Sequence, residues 1–146
     1  MTTIRRSGLL PYSAKAIYDL VNDIEQYPQF MDGCVGAEIL HRDEGTIEAR
    51  LHLSRAGITH SFATRNFLTE PESIRMELID GPFEQFAGCW RFKALAESAC
   101  KVSLEMEFSF SNKLLGAAAG KLFDSVSSNL VYAVSKRATQ VLGAAV

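Results

Sequence analysis

Apolar positions recur with a period of two through the middle of this chain and with the period of a helix on either side of it. A first strand is predicted from Thr3 to Leu10. Ser13, just after Pro11, then has the character of an N-cap, and Ala16, Ile17, Leu20 and Val21 share one helical face, which predicts a helix from Ser13 to about Asn22. Asp23 is read as the cap of a second short turn carrying Ile24, Tyr27 and Phe30, which Pro28 keeps from lengthening. From Val35 the chain alternates, with turn signals at Asp43-Glu44-Gly45, Ala56-Gly57, Glu70-Pro71 and Asp80-Gly81-Pro82. Ile47, Ala49, Leu51 and Leu53 oppose Glu48, Arg50 and His52, and Ile74, Met76 and Leu78 oppose Arg75 and Glu77. The last strand is the clearest. Val102, Leu104, Met106, Phe108 and Phe110 point one way, and a one-residue slip would bury Glu105 and Glu107.

From about Asn112 to Val141 the helical period returns, with Leu115, Ala118, Leu122, Val126, Leu130, Val134 and Ala138 as its stripe. A single helix of that length would run about 43 Å, enough to cross a whole sheet. The order of strand, two short helices, six strands and one long helix predicts an α+β fold. In it a curved antiparallel sheet grips the C-terminal helix and leaves a hollow between them.

The composition agrees with one domain spanning residues 1–146: 47% hydrophobic, 22% charged and 10% aromatic side chains, with no repeat and no Pro-rich linker. A net charge of −2 excludes a uniformly basic nucleic-acid binder, and no DNA partner is expected. Three cysteines, Cys34, Cys89 and Cys100, form no CxxC pair and are read as reduced thiols in a cytoplasmic protein. Met1 to Leu10 offers no signal-peptide core, and Leu114 to Gly120 falls far short of a membrane span, so a soluble chain is expected.

Enzyme signatures are missing: there is no GxSxG, GxGxxG, phosphate loop or HExxH, so neither a catalytic set nor a required cofactor is assigned. His41, His52 and His60 lack ligand spacing, and no metal site is assigned. Glu105 and Glu107 share a polar strand face and read as a solvated pair. Cys89 and Cys100 are candidates to meet across a hairpin, with Arg91 nearby to lower a thiol pKa, although ordinary half-buried cysteines are the preferred reading.

The many large rings are more informative. Tyr27, Phe30, Phe62, Phe83, Phe86, Trp90, Phe92, Phe108, Phe110 and Phe123 are many rings for one small sheet; they fit either a solid core or a cavity wall, and apolar clefts with few polar groups are what ligand pockets are made of. Thr64, Asn66 and Ser127 are the candidate polar groups. Gly116 and Gly120 fit either close helix packing or a pliable lid. In the C-terminal segment Lys113, Lys121, Lys136 and Arg137 face only Asp124, which gives the final helix a cationic outer face that reads first as an ordinary solvated face and otherwise suits RNA phosphate or an anionic membrane surface.

A set of ordered motifs then carries a resemblance over essentially the whole chain: Ile4-Arg-Arg-Ser, Pro11-Tyr-Ser-Ala, Leu20-Val-Asn-Asp, Tyr27-Pro-Gln-Phe, Ala56-Gly-Ile, Thr64-Arg-Asn, Asp80-Gly-Pro-Phe, Trp90-Arg-Phe and Asn112-Lys-Leu. Together they resemble the bacterial ribosome association toxin family, relatives of the mitochondrial coenzyme Q-binding START-domain proteins. One position departs from the family pattern: Asp32 follows Met31 where a proline is common. The resemblance implies a helix-grip, START-like or polyketide-cyclase-like fold, which agrees with the periodicity.

The resemblance also implies two activities. One is non-enzymatic binding of ubiquinone or another isoprenoid quinone or lipid, in support of respiration. The other is association with the large ribosomal subunit, blocking subunit joining. Tyr27, Pro28, Phe30, Phe83 and Trp90 are taken from the motifs as residues that line or gate the cavity, and Phe62, Phe92, Phe108 and Phe123 are added from periodicity. Lys113, Lys121, Lys136 and Arg137 are the expected contacts to a ribosome or anionic surface, and peripheral contact with the inner membrane is part of the same expectation.

Overall fold

A computed structural model describes residues 2–55, 57–110 and 113–143, without the side chains of 113–118. Strand β1 (Thr2–Leu10) leads into α1 (Ala14–Asn22), a 3₁₀ turn (Ile24–Gln26) and α2 (Tyr27–Phe30). Six strands follow, β2 (Cys34–Asp43), β3 (Thr46–Arg55), β4 (Ile58–Thr69), β5 (Ser73–Asp80), β6 (Phe83–Ala96) and β7 (Ala99–Phe110), and then α3 (Lys113–Ser128) and α4 (Leu130–Leu142). The sheet runs β1-β7-β6-β5-β4-β3-β2, with every neighbouring pair antiparallel. Among the described residues the only non-sequential pairing joins β1 to β7, Thr2 opposite Phe108 and Leu10 opposite Cys100. Bulges in β2, β5 and β6 bend it around the helices.

Local chemistry explains the elements. The Ser13 hydroxyl accepts from the Ala16 amide at 3.1 Å and starts α1, as predicted. Asp23 does not cap the next turn with its side chain; its backbone carbonyl takes the Gln26 amide at 3.1 Å instead. Pro28 sits in the first turn of α2, where its missing N–H costs nothing. In β7, Val102, Leu104, Met106 and Phe108 are buried and Lys101, Glu105 and Glu107 exposed, the alternation read from the sequence.

The single long C-terminal helix is corrected to two. Asn129 separates α3 from α4, with its amide donating to the Ser125 carbonyl at 2.8 Å and its backbone N–H to Val126 at 3.2 Å. Ser127-Ser128-Asn129 is a run of short polar residues that compete for backbone hydrogen bonds, and this weakens a continuous helix there. The apolar stripe survives the break: Leu122, Val126, Leu130, Val134 and Ala138 are all buried against the sheet. Leu115 and Ala118, and the packing expected of Gly116, lie outside the described residues. At Gly120 an added Cβ would meet Phe110 at an ordinary 3.7 Å, so no exceptionally close approach requires that glycine.

Candidate functional site

Between the concave sheet face and α3 lies a cavity of about 60 Å³. Its floor comes from alternate residues of β3 to β7, including Ala49, Phe62, Met76, Trp90 and Met106, and its roof from Phe123, Val126, Ser127 and Leu130. Tyr27 and Met31 close one side. The walls are mostly apolar; besides Tyr27 and Ser127, the polar side chains are Thr64 and Asn66, which stand two apart on β4 and share its inner face. Both are more than nine-tenths buried, as is Ser127, which α3 contributes to the same lining. The Thr64 hydroxyl donates to Asn66 Oδ1 at 2.8 Å. Among the described residues Asn66 Nδ2 makes no hydrogen bond. Its strand neighbours Ile47 and Met76 offer only apolar side chains.

Of the expected lining residues, the structure brings Tyr27, Phe62, Trp90 and Phe123 to the cavity. Phe83 and Phe108 stand behind it in a ring cluster, where Phe83 lies 4.6 Å from Phe123 and 5.8 Å from Phe108, centroid to centroid, and they support the wall without forming it. Phe92 faces inward beyond Trp90 and packs edge-on against Tyr18 of α1 at 5.6 Å, because α1 fills that end of the sheet. Pro28 does not reach the cavity, and Phe30 points outward under the Arg137 guanidinium, 5.5 Å from its ring centre. Sequence reasoning missed Met31, Met76 and Met106. Met76 and Met106 could have been found because they fall on the inward positions of their strands.

Tyr27 is the one titratable side chain among the described lining residues. Its hydroxyl donates to the Val21 carbonyl, and burial pushes its pKa up, so it stays protonated and already partnered. The remaining candidate chemistry is dispersed. Cys89 pairs with Glu105 while Cys100 pairs with Ala94, so these two cysteines do not meet. His52 sits outside the cavity, on the exposed sheet face, between Ser61 Oγ at 2.6 Å and Glu38 Oε1 at 3.1 Å. Among the described residues no three His, Cys, Asp or Glu side chains converge as metal ligands.

An outer groove of about 410 Å³ lies on the far side of Met31 and Val126, the two residues that line both spaces. Gln29, Phe30, Tyr132, Lys136 and Arg137 border it. Neither Lys136 nor Arg137 has a carboxylate partner among the described residues, and Lys136 lies 5.5 Å from the ring centre of the exposed Tyr132. Arg55 straps the mouth by holding Asp32 of the loop and Ser125 of α3 together. Lys121 is exposed on α3 away from the groove, and the Lys113 side chain lies outside the described residues.

A curved sheet closing on a C-terminal helix over an apolar cavity is what the family comparison meets. The model of the family described as polyketide cyclase / dehydrase and lipid transport matches residues 10–135. The chain belongs to this family. It is 44% identical over 144 residues to the ribosome association toxin RatA of Escherichia coli (strain K12), covering 99% of this chain and 91% of that protein. The mitochondrial coenzyme Q-binding protein COQ10 homolog B of Xenopus laevis is 24% identical over 141 residues, covering 94% of this chain and 58% of that protein. The fold matches the crystal structure of the Zhui aromatase/cyclase from Streptomyces sp. R1128 with a TM-score of 0.82, over 97% of this chain and 98% of that one, at 17% identity. The family and the helix-grip fold implied by the sequence motifs are thereby confirmed. Among the described residues no helix is long and apolar enough to cross a membrane.

Proposed function

We propose that this protein is a non-enzymatic cytoplasmic carrier that holds an isoprenoid quinone of the ubiquinone type between the sheet and α3, in support of respiration. The observation that carries the reading is Asn66, a buried amide with a free donor in a mostly apolar cavity, complementary to a ligand carbonyl. The coenzyme Q-binding name of one relative and the lipid transport description of the family support the same class of ligand. Binding rather than catalysis is supported by a described lining whose one titratable group, the Tyr27 phenol, already donates to the Val21 carbonyl.

The cavity has a volume of only about 60 Å³, well below the roughly 300 Å³ and upward of ordinary ligand pockets, so loading requires the wall to yield. Three flexible methionines, Met31, Met76 and Met106, are suited to that, and Met31 with Val126 separates the cavity from the outer groove, where the tail would leave. The test uses Trp90, the single tryptophan of the chain and part of the cavity wall. A short-tailed ubiquinone analogue is expected to quench its fluorescence saturably, and Phe62→Ala is expected to weaken that binding. A folded protein showing neither quenching nor retention of quinone in equilibrium dialysis overturns the reading.

A second reading is association with the large ribosomal subunit. It is favoured by the uncompensated Lys136 and Arg137 beside the exposed Tyr132, a combination suited to phosphate and a stacked base, and by the name of the relatives at 44% identity. Co-sedimentation with large subunits should weaken with salt and with Lys136→Glu plus Arg137→Glu. Salt-insensitive binding unaffected by that double change removes this surface from consideration.

A further inference from the structure

Lys136 and Arg137 bring two positive charges to the outer groove, and no carboxylate among the described residues pairs with either. Arg137 is half-buried, with its guanidinium 5.5 Å from the ring centre of Phe30, and Lys136 lies at the same distance from Tyr132. Rings hold both cations in place, yet leave their N–H groups open to an anion. The one acid on the described groove lining, Asp32, is already bound to Arg55, and the exposed amides of Gln29 and Gln140 add further donors. At about 410 Å³ the groove also falls within the roughly 300–1,000 Å³ of ordinary ligand sites.

Met31 and Val126 line this groove and the mostly apolar cavity alike, so a cationic space and an apolar one share a wall of two side chains. An amphiphile fits such a pair of spaces. We infer that the groove is a head-group site for a single-chain phosphate monoester, whose hydrocarbon chain passes between Met31 and Val126 toward Trp90 in the cavity. A phosphate dianion matches the two cations: a guanidinium offers two parallel N–H donors to two of its oxygens, and an ammonium offers a point charge. A neutral quinone makes no use of Lys136 or Arg137. The inference therefore goes beyond the quinone reading and gives the protein a second, charged class of ligand, with no bond made or broken. Its chain also separates this ligand from the RNA phosphate of the ribosome reading, which has no hydrocarbon to bury.

The test titrates the full chain with decyl phosphate, decanol and inorganic phosphate by calorimetry, below the concentration at which micelles form, and reads Trp90 emission alongside. Decyl phosphate is expected to bind at least about tenfold more tightly than either of the others and to shift that emission. Affinity should rise at least about twofold for each methylene between the hexyl and decyl esters. Added salt should weaken the ester and leave decanol unchanged. Lys136→Gln plus Arg137→Gln should bring decyl phosphate down to the affinity of decanol, and Lys136→Gln alone, at an exposed position, should produce part of that loss even if the double variant proves unstable. Equal binding of ester and alcohol overturns the inference. So does an affinity independent of chain length, or inorganic phosphate binding as tightly as the ester. Each of these failures leaves the quinone reading to its own titration, and tight binding of decyl phosphate by a protein that retains no quinone overturns that reading alone.

Discussion

A Cβ built on Gly33 would come within 2.9 Å of Val126 Cγ2, so the loop after α2 rests on α3 with only a hydrogen atom between them. The contact lies at the wall shared by cavity and groove, since Val126 borders both. Gly33 also has φ +91°, a conformation that costs a side chain about 1–2 kcal/mol. Gly33→Ala should therefore cost roughly 2–3 kcal/mol in urea unfolding, strain and contact together. Gly45→Ala, at φ +79° with open space around it, should show the conformational cost alone.

Phe123 and Phe92 separate stability from binding. Both are buried rings, and truncating either to Ala should cost about 3–5 kcal/mol. Only Phe123 lines the cavity. The milder Phe123→Leu should alter quinone affinity, whereas Phe92→Leu, next to Tyr18, should leave it unchanged in the same titration.

Burial pushes the Cys34 and Cys100 thiols above their ordinary pKa of 9.0, while Cys89 is only half-buried. Thiol-specific labelling of the native protein should modify Cys89 first and reach the other two only on unfolding. The linkage has a definite sign. The unfolded chain releases these protons near pH 9 and the folded one at higher pH, so the stability they contribute is complete below about 9 and falls as pH rises beyond it. Replacing both with Ala should flatten that alkaline decline in unfolding curves.

Arg55 joins Asp32 to Ser125 at the rim, in an exposed position where such a pair contributes less than about 1 kcal/mol. Arg55→Ala should barely move the unfolding midpoint. It should speed quinone exchange in stopped-flow displacement, because Met31 and Val126 lie next to the two residues it ties. Unchanged exchange would place the entrance elsewhere.

Element order and face were legible because period and caps are local: Ser13 caps α1 and the β7 alternation holds residue by residue. The position of the hollow was not. Trp90 and Phe92 occupy equivalent inward positions on β6, yet one meets the cavity and the other meets α1, a difference set by where helices lie along the sheet. Periodicity likewise placed Phe30 on the apolar face of its short turn, whereas Arg137 of α4 draws it to the outer groove. Asn129 was hidden because the apolar stripe continues through the helix break.

The pairing of β1 with β7 also sets an order of events during synthesis. Thr2 cannot meet Phe108 until nearly three-quarters of the sequence has been made, and the helices that cover the sheet are made later still. The β2 to β6 meander can therefore form early with its concave apolar face open to solvent, while β1 waits as an unpaired edge. Contacts this distant in sequence slow folding and prolong that exposure. Chaperone dependence and aggregation in the cell should track how fast the C-terminal third emerges.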